Sequence, residues 1–348
     1  MAIFTACENG KFVSRDLRIA VIGAGLMGAD HAQRIAMRTS GAQLELVCDL
    51  DRSRATAVAD AMGGCRVLDD PAAAINDPNI DGAVVATPGP FHKALLEAAL
   101  TRRLPVLCEK PLTPEAETSL DIVHAETAVG KRLIQVGFMR RFDRQYKILK
   151  SVVDGGEMGH PLLFHCVHRS PSVPDTFTEE MLISDAAVHE FDVVRWLLGE
   201  EIERVSVLSP RSRLAHGHRS PRIVQFETAS GVYVDVEINV NCEFGYQVRC
   251  ESVFESGTLQ IGDNTGPVRQ HRGAWGGGIS SDFRFRFAQA YDEEMQTWVD
   301  SIVTGIPAGP SAWDGYVAAA VSGAAINALS LDGEHIRVDL AEMPGIYR

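Results

Sequence analysis

The run Leu17-Arg18-Ile19-Ala20-Val21-Ile22, followed by Gly23-Ala24-Gly25-Leu26-Met27-Gly28 and then by a helix-forming stretch from Ala29 to about Met37, restricts this chain more than any other segment. An apolar strand that feeds glycines and then a helix start gathers backbone N–H groups and the positive end of a helix at one point. Such a cradle suits a dinucleotide pyrophosphate, with Gly23, Gly25, Leu26, Met27 and Gly28 as its candidate contacts. Glycine-rich hexapeptides also occur in ordinary turns, so the loop has to be read with its neighbours.

The next apolar run, Leu44-Glu45-Leu46-Val47-Cys48, reads as a second buried strand and ends in Asp49, which lies 21 positions beyond Gly28. A carboxylate there can accept hydrogen bonds from the adenosine ribose hydroxyls and would repel a 2′-phosphate, which favours NAD over NADP. Asp49 reads equally as a cap for the helix that follows. Arg52 and Arg54 offer guanidinium groups that could hold a phosphate instead, which blurs the preference for NAD without reversing it.

From Leu17 to about Gly137 strand and helix alternate: strands near 17–22, 44–48, 82–86, 105–108 and 132–136, helices near 26–38, 52–62, 90–101 and 114–129. Strands separated by helices pair in parallel, and runs such as Ala83-Val84-Val85-Ala86 fit strands covered on both faces. Beyond Arg144 the rhythm changes to a helix up to about Val153, a Gly155-Gly156 break, and strands over 162–168, 202–208, 223–228, 232–240, 247–254 and 258–261. Val232, Val234, Val236 and Ile238 alternate with Tyr233, Asp235, Glu237 and Asn239, the period-two signature of a sheet with one packed face. Two helices, about 287–304 and 311–331, follow. The predicted fold class is α/β: an N-terminal doubly wound (Rossmann) parallel sheet, then an α+β domain with a large, mostly antiparallel open sheet. The expected divisions are an extension at 1–16, domains at 17–140 and 141–337, and a tail at 338–348. Gly273 to Gly278 reads as a mobile loop, and Phe283-Arg284-Phe285-Arg286-Phe287 alternates like a strand with one charged face, a weak candidate for an anion site.

Composition narrows the partners. Lys and Arg number 33 against 46 Asp and Glu, a formal charge of −13, which disfavours nucleic acid and anionic lipid. The seven cysteines, Cys7, Cys48, Cys65, Cys108, Cys166, Cys242 and Cys250, show no C-x-x-C pairing and read as reduced, structural thiols. The polar start of the chain and the interrupted apolar stretch Tyr316 to Leu331 predict neither leader nor membrane span, hence a cytoplasmic protein.

In an open parallel sheet the ligand lies at the carboxyl ends of the strands, so the residues after each strand carry the chemistry. Thr87-Pro88-Gly89-Pro90-Phe91-His92 follows one strand; Thr87, Pro88 and His92 could face the cofactor, or serve as a helix cap and a surface histidine. Cys108-Glu109-Lys110-Pro111 follows the next. Glu109 and Lys110 there would put a cation near the nicotinamide, able to bind a substrate oxygen, unless they form an exposed ion pair. In a helix expected over 184–199, Asp185 and His189 are four apart and share a face, so the carboxylate can fix the imidazole as a general base. The alternative is a first-turn acid and a buried histidine. No metal-ligand spacing appears: His165 and His168 fall on opposite faces of a strand, and there is no H-E-x-x-H.

Taken in order, the Gly23–Gly28 loop, Thr87-Pro88 with His92, Glu109-Lys110-Pro111, and Asp185 with His189 resemble the Gfo/Idh/MocA oxidoreductases from about Leu17 to Arg337. Residues 135–143, 168–174 and 313–316 are similar to segments of that family's inositol-oxidising branch. The resemblance implies NAD-dependent oxidation of a secondary hydroxyl of an inositol (cyclitol) to the ketone. His189 would be the general base, Asp185 would orient it and contact a hydroxyl, and Lys110 would bind the reacting oxygen. Met139, Arg140 and Tyr246 would line the polyol pocket together with these three. A cis Lys110-Pro111 peptide and a homotetramer built through the open sheet face are also implied. Ser170 stands where an asparagine is expected and Phe244 where a tyrosine is, so the amide of the one and the hydroxyl of the other are lost. The other readings are an enzyme of the same family acting on an aldose or other sugar, and a non-catalytic NAD-binding sensor.

Overall fold

Strands that are apolar on both faces must be covered on both faces, and the first half of the chain builds that arrangement. The computed structural model describes residues 4–8, 11–210, 221–262 and 269–348, with side chains from residue 15 onward, Trp275 excepted. The chain divides into two compact units: Met1–Phe138 with Tyr291–Tyr316 and Glu342–Arg348, and Met139–Ala290 with Val317–Ala341.

Unit 1 opens with an antiparallel pair, β1 (Phe4–Glu8) and β2 (Lys11–Ser14), in the segment that the sequence leaves unassigned. Then follow β3 (Leu17–Ile22), α1 (Leu26–Met37), β4 (Ala42–Cys48), α2 (Arg52–Ala61), β5 (Arg66–Leu68), α3 (Pro71–Ile75), β6 (Gly82–Val85), α4 (His92–Thr101), β7 (Val106–Cys108), α5 (Ala116–Val129) and β8 (Ile134–Val136). All six strands from β3 to β8 are parallel, in the order β5-β4-β3-β6-β7-β8. Ile19, Val21 and Val84 are fully buried, packed with Ile35 of α1 on the one hand and with Met295 and Trp298 on the other.

Two short elements escape the sequence pattern. β5 has three residues and α3 five, too few for periodicity to register; α3 starts because Asp70 caps the N–H groups of Ala72 and Ala73. Arg66 of β5 in turn binds the carboxylate of Asp77 just after α3, which also accepts from the Asn79 N–H at 2.8 Å.

Unit 2 runs through α6 (Arg144–Gly155), β9 (Pro161–Arg169), α7 (Val188–Leu198), β10 (Ile202–Leu208), β11 (Arg222–Thr228), β12 (Tyr233–Asn239), β13 (Gln247–Phe254) and β14 (Gly257–Ile261). β15 (Arg269–His271), β16 (Ala274–Gly276), α8 (Phe283–Arg286), α9 (Ala288–Thr304), α10 (Ala312–Ala328) and β17 (Ile336–Arg337) complete the chain. Its seven-stranded sheet has the order β14-β13-β9-β12-β11-β10-β17, antiparallel except for the β9–β12 pair. Val234, Val236 and Ile238 are buried, while Asp235 and Glu237 on the other face pair with His165 and Arg169.

Three expectations are corrected. The segment 283–287 is a helical turn rather than a strand, because Asp282 caps the Arg284 N–H at 2.8 Å and starts α8. The segment 273–278 belongs to a hairpin: His271 pairs with Ala274 around Arg272 and Gly273, both at positive φ (50° and 74°), the backbone a two-residue hairpin turn requires. The chain also returns to unit 1 at 291–316 and 342–348 instead of leaving it for good near 140. The reason is packing: the Trp298 ring lies against the β6 residue Gly82, where any added Cβ would sit 3.1 Å from it. The six cysteines with described side chains are free thiols, and burial holds Cys48 up at about 12; Cys7 lies outside the described side chains. No helix among the described residues is long and apolar enough to cross a membrane.

Trp298→Ala should cost about 3–5 kcal/mol in urea unfolding, since it removes a fully buried indole. The Arg66 guanidinium holds Asp77 down to about 2, below its ordinary carboxylate range. A depressed folded pKa stabilises above the unfolded value and the effect is lost as pH falls through the folded one. Asp77→Asn should therefore flatten the acid limb of a stability–pH curve between roughly pH 4 and pH 2, as read by thermal melts.

Candidate active site

The glycine loop leaves room for a ligand at one position only. Gly23 has φ +95°, and a Cβ on it would lie 2.5 Å from the Ala86 carbonyl oxygen; a Cβ on Gly28 would lie 1.7 Å from the Gly23 carbonyl oxygen. Around Gly25 nothing comes within 4 Å of an added Cβ. Gly25 is also the N-cap of α1 and offers no side chain to the first-turn N–H groups of Leu26, Met27 and Gly28, which have no intrahelical acceptor. Turn, close packing and open approach are thus divided among three glycines, as pyrophosphate binding requires.

Asp49 at the end of β4 accepts the Ala24 N–H at 2.7 Å and the Asp51 N–H at 2.9 Å, and its carboxylate keeps lone pairs for a ribose hydroxyl. Arg54 stands 3.6 Å from it, whereas Arg52 turns to Asp69 at 3.3 Å. After β6, the Thr87 hydroxyl is buried with no hydrogen-bond partner, and Pro88 is exposed beside it. An orphaned hydroxyl at the carboxyl end of the strand, an open glycine and uncapped helix N–H groups are the features NAD would satisfy, and these residues fit it.

His92 takes a different place from the expected one facing the cofactor. It is fully buried, with Nε2 2.7 Å from the Thr87 carbonyl oxygen and Nδ1 2.9 Å from that of Pro111. It ties the loop after β6 to the loop after β7 and acts through backbone. Glu109 is buried as well: Oε1 is 2.7 Å from Nε2 of His31, and Oε2 accepts the Lys110 N–H at 3.2 Å. His31, one turn into α1, was not singled out in the sequence, where a histidine three residues past a glycine loop carries no signal of its own. Lys110 is half-buried and its bond to Pro111 is cis.

In unit 2 the backbone after Phe138 makes a 3-10 turn over Met139–Phe142 that buries Met139 and Arg140, at 2% and 1% exposure. Arg140 donates to Glu190 and approaches His168 Nδ1 at 3.1 Å; Tyr246 Oη lies 3.5 Å from His168 Nε2. The His168 ring is 6.3 Å, centre to centre, from that of His189. Burial is the largest single influence on each member of the Arg140–Glu190 pair and opposes its charge, but the partner together with neighbouring groups prevails: Glu190, Tyr146 and Tyr246 keep Arg140 raised, and Arg140 and His168 keep Glu190 lowered. Burial also lifts the Tyr246 phenol to about 12.

Asp185 and His189 do not share one α-helix. Residues Leu182–Ala187 form a π-helical turn, with the Val188 N–H reaching the Ile183 carbonyl five residues back, and α7 begins only at Val188. Asp185 is exposed on that turn and His189 buried in the first turn of α7. Single π turns of this kind concentrate at functional sites. Ser170 is half-buried at the end of β9, and Phe244 is 52% exposed. Glu190 and His168, central to the cluster, were missed; only their polarity inside apolar segments could have marked them.

Both halves of the chain match a known family. Residues 17–138 match the family model described as oxidoreductase family, NAD-binding Rossmann fold, and residues 146–260 match the GFO/IDH/MocA C-terminal domain. The chain is 53% identical over 336 residues to inositol 2-dehydrogenase 4 of Saccharopolyspora erythraea, covering 96% of this chain and 99% of that one. It is 47% identical over 341 residues to inositol 2-dehydrogenase of Mycolicibacterium smegmatis, covering 95% and 99%. Among solved structures, the myo-inositol dehydrogenase of Lactobacillus casei in complex with NAD(H) and myo-inositol superposes with a TM-score of 0.91 at 32% identity, over 96% of this chain and 100% of that one.

Gly28→Ala forces a side chain into backbone and should cost several kcal/mol, roughly the range of a severe overpacking substitution. Gly25→Ala meets no protein atom, so its melting temperature should stay near wild type while NAD affinity, read by fluorescence titration, falls. Equal effects of the two substitutions on stability would contradict the division of tasks among the glycines.

Proposed function

This chain belongs to the Gfo/Idh/MocA oxidoreductases, with their NAD-binding Rossmann domain, and on that premise we propose that it oxidises one secondary hydroxyl of an inositol-like ring to the ketone. The observation that carries the reading is the 53% identity to an inositol 2-dehydrogenase in a chain that carries Lys110, Asp185 and His189. NAD, when bound, supplies the hydride acceptor. Gly23, Gly25, the N–H groups of Leu26, Met27 and Gly28, Asp49 and Thr87 would hold it, with Pro88, Glu109 and Lys110 beside them.

His189 takes the hydroxyl proton as general base, and Asp185 orients the imidazole and contacts a neighbouring hydroxyl. Lys110 binds the reacting oxygen and stabilises the negative charge that grows there as the proton leaves. Met139, Arg140 and Tyr246 fix the ring. The polar alternation of Tyr233, exposed, with Asp235, Glu237 and Asn239, half-buried, supports assembly through that sheet face, and a homotetramer in the cytoplasm completes the proposal. Ser170 and Phe244 support a second reading, a sugar or a cyclitol isomer as substrate, because they replace the asparagine amide and tyrosine hydroxyl expected in a pocket for inositol.

Lys110→Ala should lower kcat by about 10²-fold or more, the scale of lost electrostatic and proton-transfer assistance, while NAD affinity stays within a few-fold. Near-normal turnover in that variant would remove the proposed chemistry. Following NAD reduction with myo-inositol, scyllo-inositol, D-chiro-inositol and glucose separates the two substrate readings, and NAD binding without reduction by any of them would favour a sensor.

A further inference from the structure

One member of the buried cluster in unit 2 has no task in the reaction as described. Glu190 follows His189 directly in the sequence and is only 1% exposed. Its Oε1 accepts from Arg140 Nη1, and its Oε2 lies 3.5 Å from His168 Nδ1. Arg140 Nη2 is nearer to that same nitrogen, at 3.1 Å. A guanidinium can only donate, so the shorter contact needs the lone pair of Nδ1 and leaves the ring proton on Nε2. Nε2 is the nitrogen that faces the Tyr246 hydroxyl at 3.5 Å. Arg140 Nε is buried without a partner, a further donor in the same cluster.

Resting on the polyol-oxidation reading, we propose that Glu190 is a positioning residue for this reaction. Its carboxylate holds the Arg140 fork in one place, and Arg140 thereby keeps His168 in its Nε2–H tautomer. The His168 Nε2–H then faces the Tyr246 oxygen and leaves the phenolic O–H, with Arg140 Nε, as the donors of the cluster in a fixed pattern, which is what sorting one ring hydroxyl from its neighbours demands. A carboxylate that serves only to neutralise buried charge would not care which imidazole nitrogen carries the proton.

The test uses the full chain labelled with ¹⁵N-histidine, as wild type, Glu190→Gln and Glu190→Asp, with His168→Gln to assign the signal. Wild type should show the Nε2–H pattern at His168, and Glu190→Gln should replace it with a mixture. In the same variant KM for the accepted polyol should rise about ten-fold or more, the scale of a lost charged hydrogen bond, with KM for NAD within two-fold. Glu190→Asp should restore most of both. An unchanged tautomer together with an unchanged polyol KM in Glu190→Gln would overturn the proposal. Should that variant not fold, Arg140→Lys keeps the charge and loses the fork, and an unshifted His168 signal there would overturn it equally. If wild type oxidises no polyol at all, the functional reading fails, while the His168 tautomer in Glu190→Gln still decides the role of Glu190.

Discussion

Two backbone segments at the head of α1 approach so closely that no side chain fits between them, and the organisation of unit 1 depends on that contact. Gly28 seats the helix on the turn, since a Cβ there would be 1.7 Å from the Gly23 carbonyl oxygen, and Gly23 seats the turn on the end of β6 at Ala86. The helix end is thereby fixed where the strand order reverses, between β3 and β6. Ligands of such sheets bind outside the carboxyl ends of the strands at that reversal. Asp49, Thr87, Glu109 and Lys110 all follow strands of this sheet at those ends. His92 and His31 brace the loops that carry them, one through carbonyl oxygens and the other through the Glu109 carboxylate.

What could be read along the chain follows from how local each signal is. The longer strands and helices of both units, the glycine loop and the alternating β12 are local patterns of period 2 or 3.6, and they lie within a few residues of where the periodicity puts them, whereas β1, β2, β15, β16 and β17 fall outside that expectation. β5 and α3 were too short to show a period, and the 283–287 turn carries a strand-like alternation that one capping aspartate overrides. The return of residues 291–316 to unit 1 was illegible because it depends on which sheet face lacks a cover, a property of the assembled unit. The same holds for the site. Lys110, Asp185 and His189 stand out by spacing and resemblance, whereas Glu190, His168 and His31 matter through partners 22 to 78 positions away.

The π turn at Leu182–Ala187 shows how local irregularity and function meet. In a continuous α-helix, Asp185 would be drawn into the same regular face as His189 and its backbone N–H would be committed to the ladder four residues back. The wider turn lets Asp185 stay exposed while Val188, His189 and Glu190 enter α7 fully buried. The π turn and the first turn of α7 thus place an exposed carboxylate and a buried imidazole within five residues. Such a difference in environment suits the division of roles proposed for the two residues.

Burying an arginine and a glutamate side by side is an expensive way to fill space: well-packed apolar residues of similar volume are often as stable or more so, while removing one partner of such a pair typically costs about 3–5 kcal/mol. The pair therefore asks for a reason beyond stability. Arg140 is matched by Glu190 inside unit 2, so the cluster offers directed donors without net charge. An unmatched guanidinium would attract phosphates and carboxylates and hold them by charge alone; a neutralised one rewards an uncharged ligand whose oxygens fall where the donors point. A ring bearing only hydroxyl groups is such a ligand. The arrangement of charge in unit 2 thus accords with the uncharged, hydroxyl-bearing substrate proposed above.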